Sequence, residues 1–282
     1  MIDAHFHSWQ IARGDYGWLN PALAPLYRDV SVADWQAQSQ ALGISGGVLV
    51  QAAPTEAETL FLLAQAQAQA PDGPGVLGVV GWVDLLATNA ADRISALAHQ
   101  YPLLKGLRPM LQDIPDPDWI LQAALSPALQ AMAAHGLVFD ALVKPVHLPR
   151  LLTLAARHPK LSLVIDHAAK PDIAAGQWQP WADQLARLAA ETHAVCKLSG
   201  LLTEAGPQPR PDAARHWGEH VLASFGADRV MWGSDWPVLE LAGSYGDWWQ
   251  EAQQLSAHLS AAERANLFGG TARRIYRLST AS

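Results

Sequence analysis

A single cysteine, Cys196, stands among 282 residues, so no intrachain disulfide can staple this chain. Charge is sparse too: 16% of the residues are charged against 50% hydrophobic, enough apolar material for one large core. No Lys/Arg-rich run occurs, and 19 basic residues against 26 acidic leave a net charge of −7, which argues against nucleic acid as a partner. Long apolar runs are missing as well. Those present are of strand length and are broken by Gly, Pro or charge, so no membrane span is expected. Met1-Ile2-Asp3-Ala4-His5 has no basic segment leading into an apolar stretch, which excludes a standard secretory signal and makes the cytoplasm the expected compartment. Against these shortages stand 12 tryptophans. Trp9, Trp18, Trp236 and the pair Trp248-Trp249 fall in segments that read as loops or loop edges. Amphipathic rings there either cap a core or line a pocket for a ring-shaped ligand.

Apolar, β-branched runs recur along the whole chain, each followed by an amphipathic stretch. Strands are expected at Ile2–Phe6, Gly47–Ala52, Val76–Asp84, Leu103–Arg108, Leu137–Val143, Leu161–His167, Ala194–Ser199 and Arg229–Ser234. Helices are expected at Val32–Leu42, Glu56–Ala70, Ala91–Tyr101, Trp119–Ala134, Leu148–Arg157, Trp181–His193 and Ala213–Phe225, with Ser31 and Thr55 as N-caps. Eight strands of buried type in a β-then-α series imply an α/β fold with a parallel sheet closed into a (β/α)8 TIM barrel, residues 1–282 forming one domain. An open doubly wound sheet is the competing arrangement. Two irregular stretches, Ser8–Val30 and Leu202–Pro211, directly follow strands and so belong to the catalytic face of such a barrel.

The chemistry-bearing residues gather at strand ends. His5 and His7 are two apart, which puts both imidazoles on one face of the first strand, where they can bind one metal or polarise a carbonyl directly. Such a pair alone is a weak signal. Asp235 ends the apolar run Arg229-Val-Met-Trp-Gly-Ser, and barrel closure brings the last strand beside the first, so its carboxylate should face the two histidines. His167 appears where Leu161-Ser-Leu-Val-Ile-Asp emerges from the barrel; alternation allows one of Asp166 and His167 to point inward, and His167 is the expected one. Arg108 ends the fourth strand and suits an oxygen-rich or anionic substrate. Asp140 lies within the fifth strand, where an unpaired carboxylate is costly to bury. Lys197 and Ser199 share a face of the seventh, adding a cation and a hydroxyl to the mouth if that face is inward. Lys170 either serves the site or is simply solvated.

These motifs, Asp3-Ala-His-Phe-His-Ser-Trp, Val80-Gly-Trp-Val-Asp, Lys105-Gly-Leu-Arg, Phe139-Asp-Ala-Leu-Val, Asp166-His-Ala-Ala-Lys-Pro, Cys196-Lys-Leu-Ser-Gly-Leu and Gly233-Ser-Asp-Trp-Pro-Val, resemble the amidohydrolase superfamily, and within it the sugar-lactonase branch of L-fuconolactonase-like and L-rhamnonolactonase-like enzymes. The resemblance runs to Thr271-Ala-Arg-Arg-Ile-Tyr-Arg-Leu. It implies an amidohydrolase-type barrel that opens an aldonolactone to the hydroxy acid, with a small sugar lactone as partner. The superfamily's first-strand histidines map to His5 and His7, its sixth-strand histidine to His167 and its last-strand aspartate to Asp235. Asp140 replaces a frequent fifth-strand histidine, and Lys105 lies early in its strand for a carbamylated lysine. The resemblance therefore implies one divalent ion, zinc by preference, held by His5, His7 and Asp235, or a metal-free site. Asp235 is then the general base, with His167, Arg108 and Lys197 as further catalytic residues. Trp9, Trp18, Asp140, Ser199 and Trp236 are the expected substrate-binding set. Two other readings compete: a single-zinc decarboxylase or other hydrolase of the same superfamily, and a non-catalytic sugar-binding barrel.

Overall fold

Short, fully buried, Val/Leu-rich segments have no polar face to give to water, so they can pair only in a sheet covered on both sides. The computed structural model describes residues 1–68, 73–210 and 212–279 and shows that sheet. Its strands are β1 (Ile2–Phe6), β2 (Gly46–Val50), β3 (Gly75–Gly81), β4 (Leu104–Leu107), β5 (Val138–Ala141), β6 (Ser162–Ile165), β7 (Val195–Leu198) and β8 (Val230–Trp232), all parallel and in sequence order. Beyond the end of β8, the backbone turns back onto β1. His7 donates N–H to the Trp236 carbonyl at 2.8 Å, and Asp235 donates to the His5 carbonyl at 2.8 Å. These bonds close the barrel and set Asp235 against the first-strand histidines.

The covering helices are α1 (Val32–Gln40), α2 (Glu56–Gln67), α3 (Ala90–Gln100), α4 (Ser126–His135), α5 (Leu148–Arg157), α6 (Trp181–Glu191), α7 (Leu201–Glu204), α8 (Arg215–Phe225), α9 (Tyr245–Leu255), α10 (Ala261–Ala265) and α11 (Thr271–Ile275). Ser31 and Thr55 cap α1 and α2 by accepting the Asp34 and Glu58 amides at 3.1 Å each. The expected helices start or end within a few residues of those found, except that Trp119–Leu125 forms two 3-10 turns before α4. Gln69 and Ala70 of the expected second helix lie outside the described residues, as does Pro211 of the second irregular stretch. That stretch is not wholly irregular, because it includes most of α7. No helix among the described residues is long and apolar enough to cross a membrane.

Two cores result. An annulus between sheet and helices holds most large side chains, including Phe6, Trp35, Leu49 and Trp232. Inside the barrel a smaller cluster, including Ala4, Val48, Val80, Val138 and Val164, is floored by Tyr276 and Leu278 from the chain after α11. Fully burying such side chains stabilises the fold by roughly 1.5–3 kcal/mol each. The site sits directly on this inner plug.

Candidate active site

The first strand changes face midway. Ala4 packs inside the barrel, yet its neighbour His5 also reaches the inner cluster of polar groups, because the register with β2 shifts between Asp3 and Phe6. Asp3, turned outward, fixes that irregularity. Its buried carboxylate accepts the His5 amide at 3.1 Å, the Ser234 amide and hydroxyl at 2.8 and 2.6 Å, the Trp35 indole at 3.0 Å and the Tyr245 hydroxyl at 2.8 Å. One carboxylate thus ties β1 to the end of β8 and to two helices.

Above it four side chains converge. Nε2 of His5 and of His7 are 3.2 Å apart, and Oδ1 of Asp235 lies 3.6 Å from the first and 3.3 Å from the second. His167 Nε2 approaches the same oxygen at 3.8 Å. Left-handed backbone aims the last two residues: φ is 58° at Asp235 and 52° at His167, where a run of such angles extends through Lys170. Non-glycine residues seldom adopt this conformation, and it tends to cluster at functional sites.

Each imidazole is held through both ring nitrogens or through one. His7 Nδ1 lies 2.8 Å from the Val50 carbonyl, which only accepts, so that nitrogen carries a proton, while Nε2 lies 3.3 Å from Asp235 Oδ1. His5 Nδ1 lies 3.1 Å from the Lys197 ammonium and 3.6 Å from Asp166 Oδ1, and its Nε2 lies 3.4 Å from the Arg108 guanidinium and 3.2 Å from His7 Nε2. His167 Nδ1 pairs with the Ser199 hydroxyl at 2.8 Å. Burial drives the His5 imidazole well below its ordinary range and lowers His167 to about 4, outweighing the carboxylates near each. Both rings are therefore neutral near pH 7. Burial pushes the Asp235 carboxyl upward, but His167, His7 and His5 outweigh that and hold it below the usual carboxylate range, ionised throughout.

Beneath lies a balanced set of buried charges. Lys197 Nζ bridges Asp140 at 2.6 Å and Asp166 at 3.0 Å, and Arg108 reaches Asp166 at 3.2 Å. Tyr276 donates to Asp140 at 2.7 Å from the barrel floor. Arg108 is also clamped by the Gln51 carbonyl and by its Oε1 at 3.0 Å. Burial raises Asp140 to about 6, whereas Lys197, His5 and Arg108 overcome the same burial at Asp166 and hold it well below the usual range.

A cavity of about 300 Å³ opens above His7, Arg108, His167 and Asp235, with Trp18 and Lys170 also in its wall. Several expectations need correction. Asp166 does not point outward while His167 points in: β6 ends at Ile165, so alternation no longer applies, and Asp166 also faces the interior cations. Lys197 and Asp140 do project inward, but both are fully buried below the cavity rather than part of its wall. Ser199 likewise backs His167 instead of lining the space. Trp9 and Trp236 are core residues, their indoles donating to the Arg28 carbonyl and to Glu240, both at 2.8 Å. Trp18 does line the cavity, its N–H donating to the Ala52 carbonyl at 2.8 Å. Gln51 was passed over, although it is a polar residue ending an otherwise apolar strand, the same signal that singled out His167.

Glu58 supports the wall from behind, accepting the Ala52 amide at 3.0 Å and the Ala53 amide at 2.7 Å. Burial raises its carboxyl from 4.5 to about 7 against those amides. Between these values the folded chain keeps the proton and the unfolded chain releases it. The stability this group adds is complete below pH 4.5 and lost as pH rises through about 7. Glu58→Gln has no such proton to lose, so its melting temperature should gain on the parent's between about pH 5 and 8. A difference that stays flat across this interval contradicts the buried-acid account.

Comparison with known proteins decides the family: the sequence profile named Amidohydrolase matches residues 2–278. The chain belongs to the amidohydrolase family. It is 46% identical to an L-fucono-1,5-lactonase of Burkholderia ambifaria, over 100% of this chain and 97% of that protein. A second L-fucono-1,5-lactonase, from Burkholderia multivorans, is 36% identical over 98% and 96% of the two chains. Among solved structures, a Burkholderia multivorans amidohydrolase with bound zinc superposes with a TM-score of 0.91 at 36% identity, covering 99% of each chain. The eight-stranded barrel here is therefore the amidohydrolase barrel.

Ligands about 2.0–2.1 Å from one tetrahedral ion stand roughly 3.4 Å apart. The three separations among His5 Nε2, His7 Nε2 and Asp235 Oδ1 are 3.2, 3.3 and 3.6 Å. The cluster can hold a metal ion. Ligation through Nε2 would leave the His5 proton on Nδ1, which lies 3.6 Å from Asp166 Oδ1.

Proposed function

We propose that this amidohydrolase opens a sugar-derived lactone to its hydroxy acid by hydrolysis. The observation that supports this most strongly is Asp235. It is an ionised carboxylate in the cavity wall, with the imidazoles of His5, His7 and His167 as its ion-pair-distance partners among the described residues. Such a group can accept a proton from water, and the developing oxyanion then needs donors close by. In this reading Asp235 is the general base, and it returns the proton to the ring oxygen as the lactone opens. Arg108 and His167, both in the wall, face the carbonyl. Lys197 acts from below by holding His5 through its Nδ1 at 3.1 Å. A divalent ion, zinc by preference, would be held by His5, His7 and Asp235 and would supply Lewis-acid polarisation. The zinc-bound relative supports that choice.

The names of the Burkholderia relatives support an aldono-1,5-lactone as substrate. Neither the Trp18 ring nor Lys170 at the rim suits a long acyl chain, but together they suit a polar ring: aromatic faces stack on sugar C–H groups and cations take oxygens. We read residues 1–282 as one domain. A single buried thiol and the absence of a disulfide fit a reducing, cytoplasmic setting.

The test is acid release from a panel of aldonolactones in weak buffer with an indicator dye, with and without chelator, alongside metal analysis. At least one aldonolactone should be opened far faster than in buffer alone, and no more than one ion per chain should be found. Two ions per chain, or no turnover of any lactone, contradicts the reading.

A further inference from the structure

A hydroxyl group sits in the apolar plug at the barrel floor. Ala4, Val48, Val80, Val138 and Val164 share that plug with the Tyr276 ring, and a phenylalanine would fill the same space with no polar group to satisfy. The phenol is fully buried and donates to Asp140 Oδ2 at 2.7 Å. Burial and the Asp140 charge push it well above its ordinary range, so it remains a neutral donor.

The tyrosine is fixed from behind. Tyr276 and Leu278, two apart, both enter the barrel, with left-handed backbone at Arg277 (φ 50°) between them. Their amides donate to the carbonyls of Ala272 and Arg273, each at 3.0 Å, and Lys105 donates to the Arg277 carbonyl at 3.4 Å. Tyr276 is no part of the wall of the catalytic cavity.

A line of buried contacts nevertheless joins it to the site. Asp140 Oδ2 also accepts from Lys197 at 2.6 Å, Lys197 Nζ lies 3.1 Å from His5 Nδ1, and His5 Nε2 lies 3.6 Å from Asp235 Oδ1. Tyr276 meets this line twice, because its ring centre is 5.4 Å from Lys197 Nζ, a cation–π distance. The other oxygen of Asp140, Oδ1, has no hydrogen-bond partner among the described residues. Without the hydroxyl, the carboxylate is therefore held through Lys197 alone and is free to turn. Lys197 has a second carboxylate to follow, Asp166 at 3.0 Å. We infer that Tyr276 is a positioning residue for lactone opening, its hydroxyl holding Asp140 so that Lys197 stays against His5; the inference rests on the lactonase reading.

Tyr276→Phe keeps the ring and removes the hydroxyl. With an aldono-1,5-lactone that the parent opens, kcat should fall roughly tenfold or more, as is typical for groups that orient a site residue from behind. KM should stay within about twofold, since no atom of the cavity wall changes. Asp140→Asn should lower kcat as well, and adding Tyr276→Phe to it should cost less than about threefold more, because both act through one carboxylate. A merely structural hydroxyl would move the melting temperature and leave kcat alone. So kcat of Tyr276→Phe within about twofold of the parent's overturns the role, whatever the melt shows. Asp140→Asn turning over as fast as the parent overturns it too, as does a double variant in which the two losses multiply in full. If the parent opens no lactone, the lactonase reading falls and the positioning role with it.

Discussion

Asp235→Asn is expected to lower kcat for lactone opening by about three orders of magnitude, while the variant still folds. An amide cannot accept the proton of the attacking water, and general-base contributions of this kind are typically worth 10²–10⁴. The backbone argument makes the substitution clean. Residue 235 has φ of 58°, a conformation that asparagine tolerates better than most residues, and the bond from its amide to the His5 carbonyl at 2.8 Å does not involve the side chain. An amide of the same shape should leave the melting temperature within a few degrees of the parent's. Steady-state kinetics and a thermal melt check both halves. Activity within a few-fold of the parent assigns the base elsewhere.

The second large effect concerns stability. Lys197 is fully buried between Asp140 and Asp166, at 2.6 and 3.0 Å. Lys197→Met leaves two carboxylates in the barrel without their shared cation, although Arg108 still reaches Asp166 at 3.2 Å. Breaking a buried pair from one side costs about 3–5 kcal/mol, because the abandoned charge stays buried. For a chain of this size the melting temperature should fall on the order of 10 °C. The double variant Lys197→Met/Asp140→Asn should recover part of the loss, since one uncompensated charge is removed. Equal stability of the parent and the single variant contradicts the buried-charge account. His5 also loses the donor on its Nδ1 in the single variant. Residual activity should therefore fall even where the fold persists.

Strands and their order were legible because buried parallel strands write themselves as unbroken apolar runs. β1 was read with its observed bounds, and the rest to within three residues. His5, His7, His167 and Asp235 were legible for a related reason: a polar residue ending such a run has few explanations other than the mouth of a barrel. What alternation could not supply is the geometry beyond the last paired residue. Asp166 lies just past β6, in a turn continued by left-handed backbone at His167 and Ala168, so it and His167 both reach interior partners. The tryptophans misled for a different reason. An indole in a loop shows an apolar body and one donor, but not which carbonyl or carboxylate that donor will find. Trp9 and Trp236 found theirs inside the fold, and only Trp18 was left facing the cavity.

The measurement that bears most directly on the central claim is the kcat/KM ratio of an aldono-1,5-lactone to unsubstituted δ-valerolactone, which has the same ring and ester but no hydroxyl groups. Gln112, Asp113 and Lys170 at the rim would lose their partners on the bare ring, so the hydroxylated lactone should be preferred by at least about a hundredfold. Equal rates, or faster opening of the bare ring, would show that this cavity is not built for a sugar.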